Sequence, residues 1–302
     1  MPTLTEFSSF FVLGLAAGAV YALSGTGLVV LYRTTGVVNF AFGAIGMVSA
    51  FVAWSLLQTS WCPNALAYLA AFGVAVAISL IYGMVIAPQF AQRDSVTKSV
   101  GTLGFALLLV GIVFVTWNTA EVRKLDLGVE DWKLDIGKIR LNGLNVISIV
   151  LAAMVVALVT ALLNRTRLGT AMRAVANDRE VAALAGVPVR RIDLVAWLGA
   201  GMICGLVGVI NAALVNFDVN TLTFALLVPS LAAATVGRLS SLWVTMLGGF
   251  LVGVMSRVAK AFSGDLQFVS DYSEIAPFAL AGAVILWLGR HRTVVLSGRA
   301  MR

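Results

Sequence analysis

The chain has 302 residues, 60% apolar and only 12% charged, with a mean hydropathy of +0.97 and a formal net charge of +7. An average soluble domain carries about 25% charged residues because its surface must face water, so this composition excludes a soluble globule. In a soluble protein the positive balance would point to nucleic acid; here its placement along the chain points to a lipid bilayer instead, and no nucleic-acid partner is expected.

Asp, Glu, Lys and Arg are absent from 7–32, 34–92, 99–120, 141–164, 194–217, 219–237, 239–256 and 275–289. A hydrocarbon core about 30 Å thick is crossed by roughly 17–25 helical residues. Most gaps are therefore one span long. The longest holds two, divided where Pro63 and Asn64 supply turn chemistry. The expected spans are 10–31, 36–57, 65–87, 100–117, 144–163, 194–215, 223–237, 242–260 and 275–289. Barrel strands would show about 10 residues of strict alternation, which is absent. The expected fold is all-α, a polytopic membrane helical bundle of about 8–10 spans with discontinuous helices and a small outer β-hairpin. It forms one transmembrane domain over 1–302.

The first span follows Met-Pro-Thr-Leu-Thr-Glu, which is acidic rather than basic, and its apolar run outlasts a signal-peptide core. It reads as a retained span. Next, Gly-Val-Val-Asn-Phe-Ala-Phe-Gly-Ala-Ile-Gly at 36–46 combines three glycines with one asparagine. A broken membrane helix is tolerated where protein or a cavity satisfies its freed backbone groups. The second span is expected to be discontinuous here and to line a path, with Asn39, Phe40, Phe42 and Gly43 on it. The bland alternative is a helix start capped by Asn39 and packed through its glycines. Gly14-x3-Gly18, Gly201-x3-Gly205 and Gly249-x3-Gly253 are small-residue faces for helix packing, or alternatively hinges. Cys62 and Cys204 are far apart and suggest no disulfide or metal site.

Two segments are polar enough to leave the lipid. In 118–143, Leu125-Asp-Leu127-Gly-Val129 and Trp132-Lys-Leu134-Asp-Ile136 alternate around Glu130-Asp131, which reads as a β-hairpin or else a solvated lid. In 164–192, Thr170 is expected to cap a short helix over 171–176. Asn177 with Glu180 has capping-box spacing for a second helix ending at Gly186, and Pro188 prevents continuation. Two short helices would then present Ala174, Ala182, Ala183 and Ala185 beside Arg173, Asp178 and Arg179. Such a surface suits docking into a groove on another protein; the alternative is an ordinary basic loop.

Basic residues mark the cytoplasmic side. Segment 164–193 holds six arginines, and the 290–302 tail holds Arg290, Arg292, Arg299 and Arg302. With both inside and nine spans alternating, the N-terminus lies outside and the C-terminus is cytoplasmic. The inner side then carries 14 Lys+Arg and 4 acids, the outer side 7 and 10.

Gly169-Thr-Ala-Met-Arg173-Ala174-Val-Ala-Asn177-Asp178-Arg-Glu180-Val-Ala-Ala183-Leu-Ala-Gly186 resembles the cytoplasmic loop of permease subunits in the branched-chain amino-acid ABC importer family. Gly18-Ala-Val-Tyr21-Ala-Leu, Leu31-Tyr-Arg-Thr-Thr-Gly36-Val-Val-Asn39-Phe-Ala-Phe42-Gly43 and Met246-Leu-Gly248-Gly249-Phe-Leu-Val-Gly253 match in order and spacing. The resemblance implies that Arg173, Ala174, Asn177, Asp178, Arg179, Glu180, Ala183 and Gly186 form coupling helices for a cytoplasmic ATPase. It implies further partners: a second related permease in a heterodimer, and an external solute-binding protein. The setting would be a bacterial inner membrane. Two departures bear on the solute: Phe42 replaces a usual histidine, and Gly237-Arg238-Leu-Ser-Ser-Leu-Trp243 replaces a turn rich in glycine and proline.

The chain has no phosphate-binding loop, so ATP and Mg would be used by the partner ATPase and no cofactor by this chain. Its spans also lack the carboxylates and bases that ion-coupled carriers use. Energy from a docked ATPase meets both absences. The alternative is an ion-coupled carrier or passive pore acting alone. An enzyme is disfavoured, since His291 in the basic tail is the only histidine.

Overall fold

In lipid every backbone N–H and C=O must be satisfied within the chain, and helices do this segment by segment. The computed structural model describes residues 4–59, 62–117, 121, 123–128, 132–136, 139–262 and 283. Its apolar runs form α1 (Leu4–Thr35), α2 (Phe42–Leu57), α3 (Asn64–Ile81), α4 (Ser95–Thr116), α5 (Gly143–Arg165), α8 (Val189–Leu214), α9 (Val219–Val236) and α10 (Leu242–Phe262). Two short helices, α6 (Arg167–Asn177) and α7 (Arg179–Leu184), lie between α5 and α8. Among the described residues six helices are long and apolar enough to span a bilayer, and two shorter apolar ones accompany them. Apart from residue 283, the expected span at 275–289 and the 290–302 tail lie outside the described residues.

Burial separates centre from periphery. In α1, 72% of the most apolar window is buried, against 28% for α4 and 22% for α5. The outer helices turn Leu69, Val115 and Leu158 outward, which would be untenable in water and is expected against lipid. Within lipid, helices associate through close packing rather than a hydrophobic drive. A Cβ added to Gly14 or Gly18 would stand 2.6 or 2.7 Å from the Cα of Val254 or Phe250, so α1 and α10 cross backbone to backbone. Gly201 and Gly205 bring α8 equally close to Ser79 and Ala75 of α3. The small-residue faces read from sequence are thus packing faces.

Helix α3 does not end cleanly. A π turn (Tyr82–Ile86) and a 3-10 turn (Ala87–Phe90) follow it, because Pro88 lacks an N–H and its ring clashes with the carbonyl four residues back. Tyr82 packs at a tilt against Trp197 of α8 there, with ring centroids 4.6 Å apart.

Two expectations are corrected. The break expected over 36–46 is confined to 36–41; from Phe42 onward α2 is an unbroken helix. Its 16 residues reach about 24 Å, short of a full hydrocarbon core. Among the described residues the expected pairing of 125–129 with 132–136 is also absent. Instead β1 (Lys133–Ile136) pairs antiparallel with β2 (Ile139–Asn142). The backbone of the first expected arm is engaged elsewhere: Arg123 exchanges hydrogen bonds with Phe217, and the Leu125 N–H donates to the Ala212 carbonyl. Arg123 is buried, its guanidinium 4.5 Å from the Trp54 ring centroid, so this stretch is part of the bundle rather than a solvated lid.

Candidate functional site: the α6–α7 elbow and the 36–43 segment

The elbow is made by caps other than those expected, four residues earlier for α6 and one residue later for α7. Thr166, not Thr170, opens α6, its hydroxyl accepting from the Gly169 N–H at 3.1 Å. Asp178, not Asn177, opens α7, its carboxylate accepting from the N–H groups of Glu180 and Val181 at 3.0 and 2.9 Å. Asn177 is the last helical residue of α6 and so cannot adopt the extended conformation that Asp178 takes (φ −152°, ψ 114°). The end of α7 is as expected. Gly186 at φ +83° lets its own N–H reach the Ala183 carbonyl and that of Val187 reach Ala182, a Schellman closure.

One face of the elbow is anchored. Met172, Val175 and Ala182 are buried in a cluster with Val30, Leu163 and Ile192. The other face is open: Val181 is 60% exposed and Leu184 89%, with Ala183 beside them. Ala182, expected on the docking face, points inward, and Ala174 is half-buried. Arg173 is exposed and donates to Asn164 and Thr170, both at 3.3 Å. Arg179 pairs with Asp193 of α8. Glu180, Asn177 and Gly186 are exposed.

The elbow lies against the start of the second candidate segment. Asn177 and Arg179 line a cavity of about 470 Å3 together with Arg33, Thr35 and Gly36 at the end of α1. A neighbouring cavity of about 320 Å3 adds Val37, Tyr82, Lys98 and Asp193. From Gly36, at φ +71°, the chain enters the bundle in a non-helical stretch. Its backbone groups are satisfied by hydroxyls of α4. Ser99 accepts from the Val38 N–H at 3.0 Å, and Thr102 accepts from the Phe40 N–H at 2.9 Å while its proton lies between the Ser99 carbonyl at 2.6 Å and the Val38 carbonyl at 3.1 Å. Asn39 is fully buried; its Oδ1 accepts from the Ala41 N–H at 3.0 Å and its Nδ2 has no partner. It serves as the local turn-former of the bland reading and also leaves one buried amide donor free.

Phe40 is half-buried, while the Phe42 ring fills the notch at Gly27 of α1, where a Cβ would meet its Cε2 at 2.6 Å. That apolar niche explains a phenylalanine at this position. Gly43 lets α2 approach the Thr223 carbonyl of α9, 2.5 Å from where its Cβ would be. In this conformation Phe42 and Gly43 are packing residues. Ser99 and Thr102 were missed from sequence, although hydroxyl residues three apart in an apolar span were a readable signal.

Residues 10–288 match the family model described as branched-chain amino acid transport system / permease component. The chain is 26% identical over 301 residues to the high-affinity branched-chain amino acid transport system permease protein BraD of Pseudomonas aeruginosa, covering 95% of each. It is 21% identical over 284 residues to the corresponding permease LivH of Salmonella typhimurium, covering 90% of this chain and 91% of that one. Among solved structures, PsaBC from Streptococcus pneumoniae in complex with Fab aligns with a TM-score of 0.50 at 15% identity, over 94% of this chain and 95% of that chain. That likeness concerns the fold alone.

Proposed function

The chain belongs to the branched-chain amino-acid permease family, and from that premise we propose that it is the membrane-spanning subunit of an ATP-driven importer. Its solute is a branched-chain or related amino acid, moved inward by alternating access. The α6–α7 elbow and the basic tail face the cytoplasm of a bacterial cell whose inner membrane the bundle spans. Partner ATPases bind ATP and Mg and dock on the elbow. A sister permease completes a heterodimer, and an external binding protein delivers the solute.

The observation that carries this reading is the elbow's two-faced construction. A solvated loop has no reason to expose Leu184 and Val181 while burying Met172 and Val175. A docking element needs both, one face to receive a push and one to transmit it. The Arg179–Asp193 pair and the contact with the end of α1 lead from the elbow to the 36–43 segment. Movement of that segment, whose backbone is held by Ser99 and Thr102 of α4, would open the path beside Asn39 and Phe40.

Leu184→Glu, Arg173→Ala and Asp178→Ala each remove part of the exposed face or its cap. Uptake of labelled leucine and solute-stimulated ATP hydrolysis should both fall at least about tenfold in membranes containing normal amounts of the variant. Unchanged uptake in all three would refute the coupling assignment. Transport by the isolated chain in liposomes, without ATP, would refute the importer reading.

A further inference from the structure

At the end of the bundle opposite the elbow, α1, α5, α8 and α10 enclose a small cavity of about 60 Å3. In an apolar bundle its polar lining is unexpected: Tyr21 of α1, Asn145 in the first turn of α5, Asn211 near the end of α8, and Arg257 of α10. The asparagines are 7% and 9% exposed, so each is more than nine-tenths buried. Among the described residues neither side-chain amide makes a hydrogen bond, and Arg257 makes no ion pair, although it lies within electrostatic reach of Tyr21. Buried polar groups in proteins are almost always satisfied, and each exception requires an explanation. Here the two buried amides share one space with the half-buried Tyr21 and Arg257.

We propose that this cavity is a binding subsite for the carboxylate of a small solute. The donor inventory selects the ligand: a guanidinium fork, a phenol O–H and two amide NH2 groups line it, with no acid among the described lining residues. Such a set favours an anion, and the planar fork matches a carboxylate in bidentate fashion. The volume is that of roughly two waters, enough for a carboxylate and too small for a branched side chain. Ala16 and Leu214 supply apolar wall for the atoms that follow. The carboxylate would replace the hydrogen bonds that the asparagines lack and neutralise Arg257 where water is scarce. The proposal rests on the importer reading only in taking the bound group to belong to the transported solute.

The test uses the purified full chain in nanodiscs with Cys62→Ser and a reporter, Leu214→Cys, at the cavity wall; Cys204 is fully buried and silent. The rate of methanethiosulfonate labelling is measured with L-leucine, isovalerate or isovaleramide. Leucine and isovalerate should slow labelling at concentrations about tenfold below those at which isovaleramide does, as expected for a charge-assisted contact. Arg257→Gln should remove that preference and Arg257→Lys restore part of it. Equal protection by acid and amide, no protection by either acid, or a reporter that does not label would each overturn the proposal. Labelling needs neither ATP nor partners, so carboxylate protection in a chain that supports no leucine uptake would keep this site while rejecting the importer reading. Leucine uptake without protection would do the reverse.

Discussion

Arg238 stands where α9 must stop. Its N–H reaches the Thr235 carbonyl and that of Leu239 reaches Ala234, the same Schellman closure that Gly186 makes after α7. Gly186 adopts the left-handed conformation without a Cβ; Arg238 (φ 55°) and Leu239 (φ 52°) adopt it with one. The left-handed region costs an L-residue about 1–2 kcal/mol. Arg238 is exposed and loses no packing on truncation, so Arg238→Gly should stabilise the protein by about 1 kcal/mol, read as a raised melting temperature in detergent. Asp94 makes a second residue-scale case. The Thr97 hydroxyl and N–H hold its carboxyl below the ordinary range at the start of α4. Its pKa is lowered on folding, so its stabilisation is complete above the unfolded value and is lost as pH falls through the folded one. Asp94→Ala should therefore melt earlier than the parent at neutral pH, and the gap should close as the solution is acidified through that lowered value.

At the scale of elements, the non-helical stretch before α2 depends on α4. Thr102 is fully buried; it accepts from the Phe40 N–H and shares its proton between the Ser99 and Val38 carbonyls. Thr102→Val keeps the shape and removes both partners, so it should cost about 1–3 kcal/mol for the stranded groups. Thermal unfolding in detergent checks this, and Thr102→Ser should recover most of the loss. The elements most legible in the sequence were those fixed by length in lipid. Eight of the expected spans overlap apolar helices, with ends up to six residues apart. The caps of α6 and α7 were misplaced because Thr166 and Thr170, or Asn177 and Asp178, are equivalent by type, and packing of Met172 and Val175 selects between them. The hairpin slipped for a similar reason: Leu125 is drawn into the core beside Ala212, which leaves 133–142 to pair with itself.

At the scale of the whole molecule, the elbow and the Arg123 stretch lie at opposite ends of the bundle. Arg123 rests on Phe51 and Trp54 near the end of α2, whereas the elbow rests on the end of α1. In the proposed topology the elbow faces the cytoplasm. In a Cys62→Ser background, Leu184→Cys should react with an impermeant thiol reagent only in inverted vesicles, and Asp126→Cys only in intact cells. The reverse pattern would invert the topology. Composition and the spacing of charge-free runs determined by themselves that this is a helical membrane protein, because the bilayer fixes span length and forbids unpaired backbone whatever the tertiary contacts. Motif order carried the family. Only the tertiary structure decided which side chains of a nearly uniform apolar sequence face inward. Phe42 became a core residue, Leu184 an exposed one, and Tyr21, Asn145, Asn211 and Arg257, scattered over more than 230 positions, came to share one cavity. Such convergence depends on how four helices rotate against one another, and in lipid that rotation is set by close packing at glycines rather than by any hydrophobic pattern along one helix.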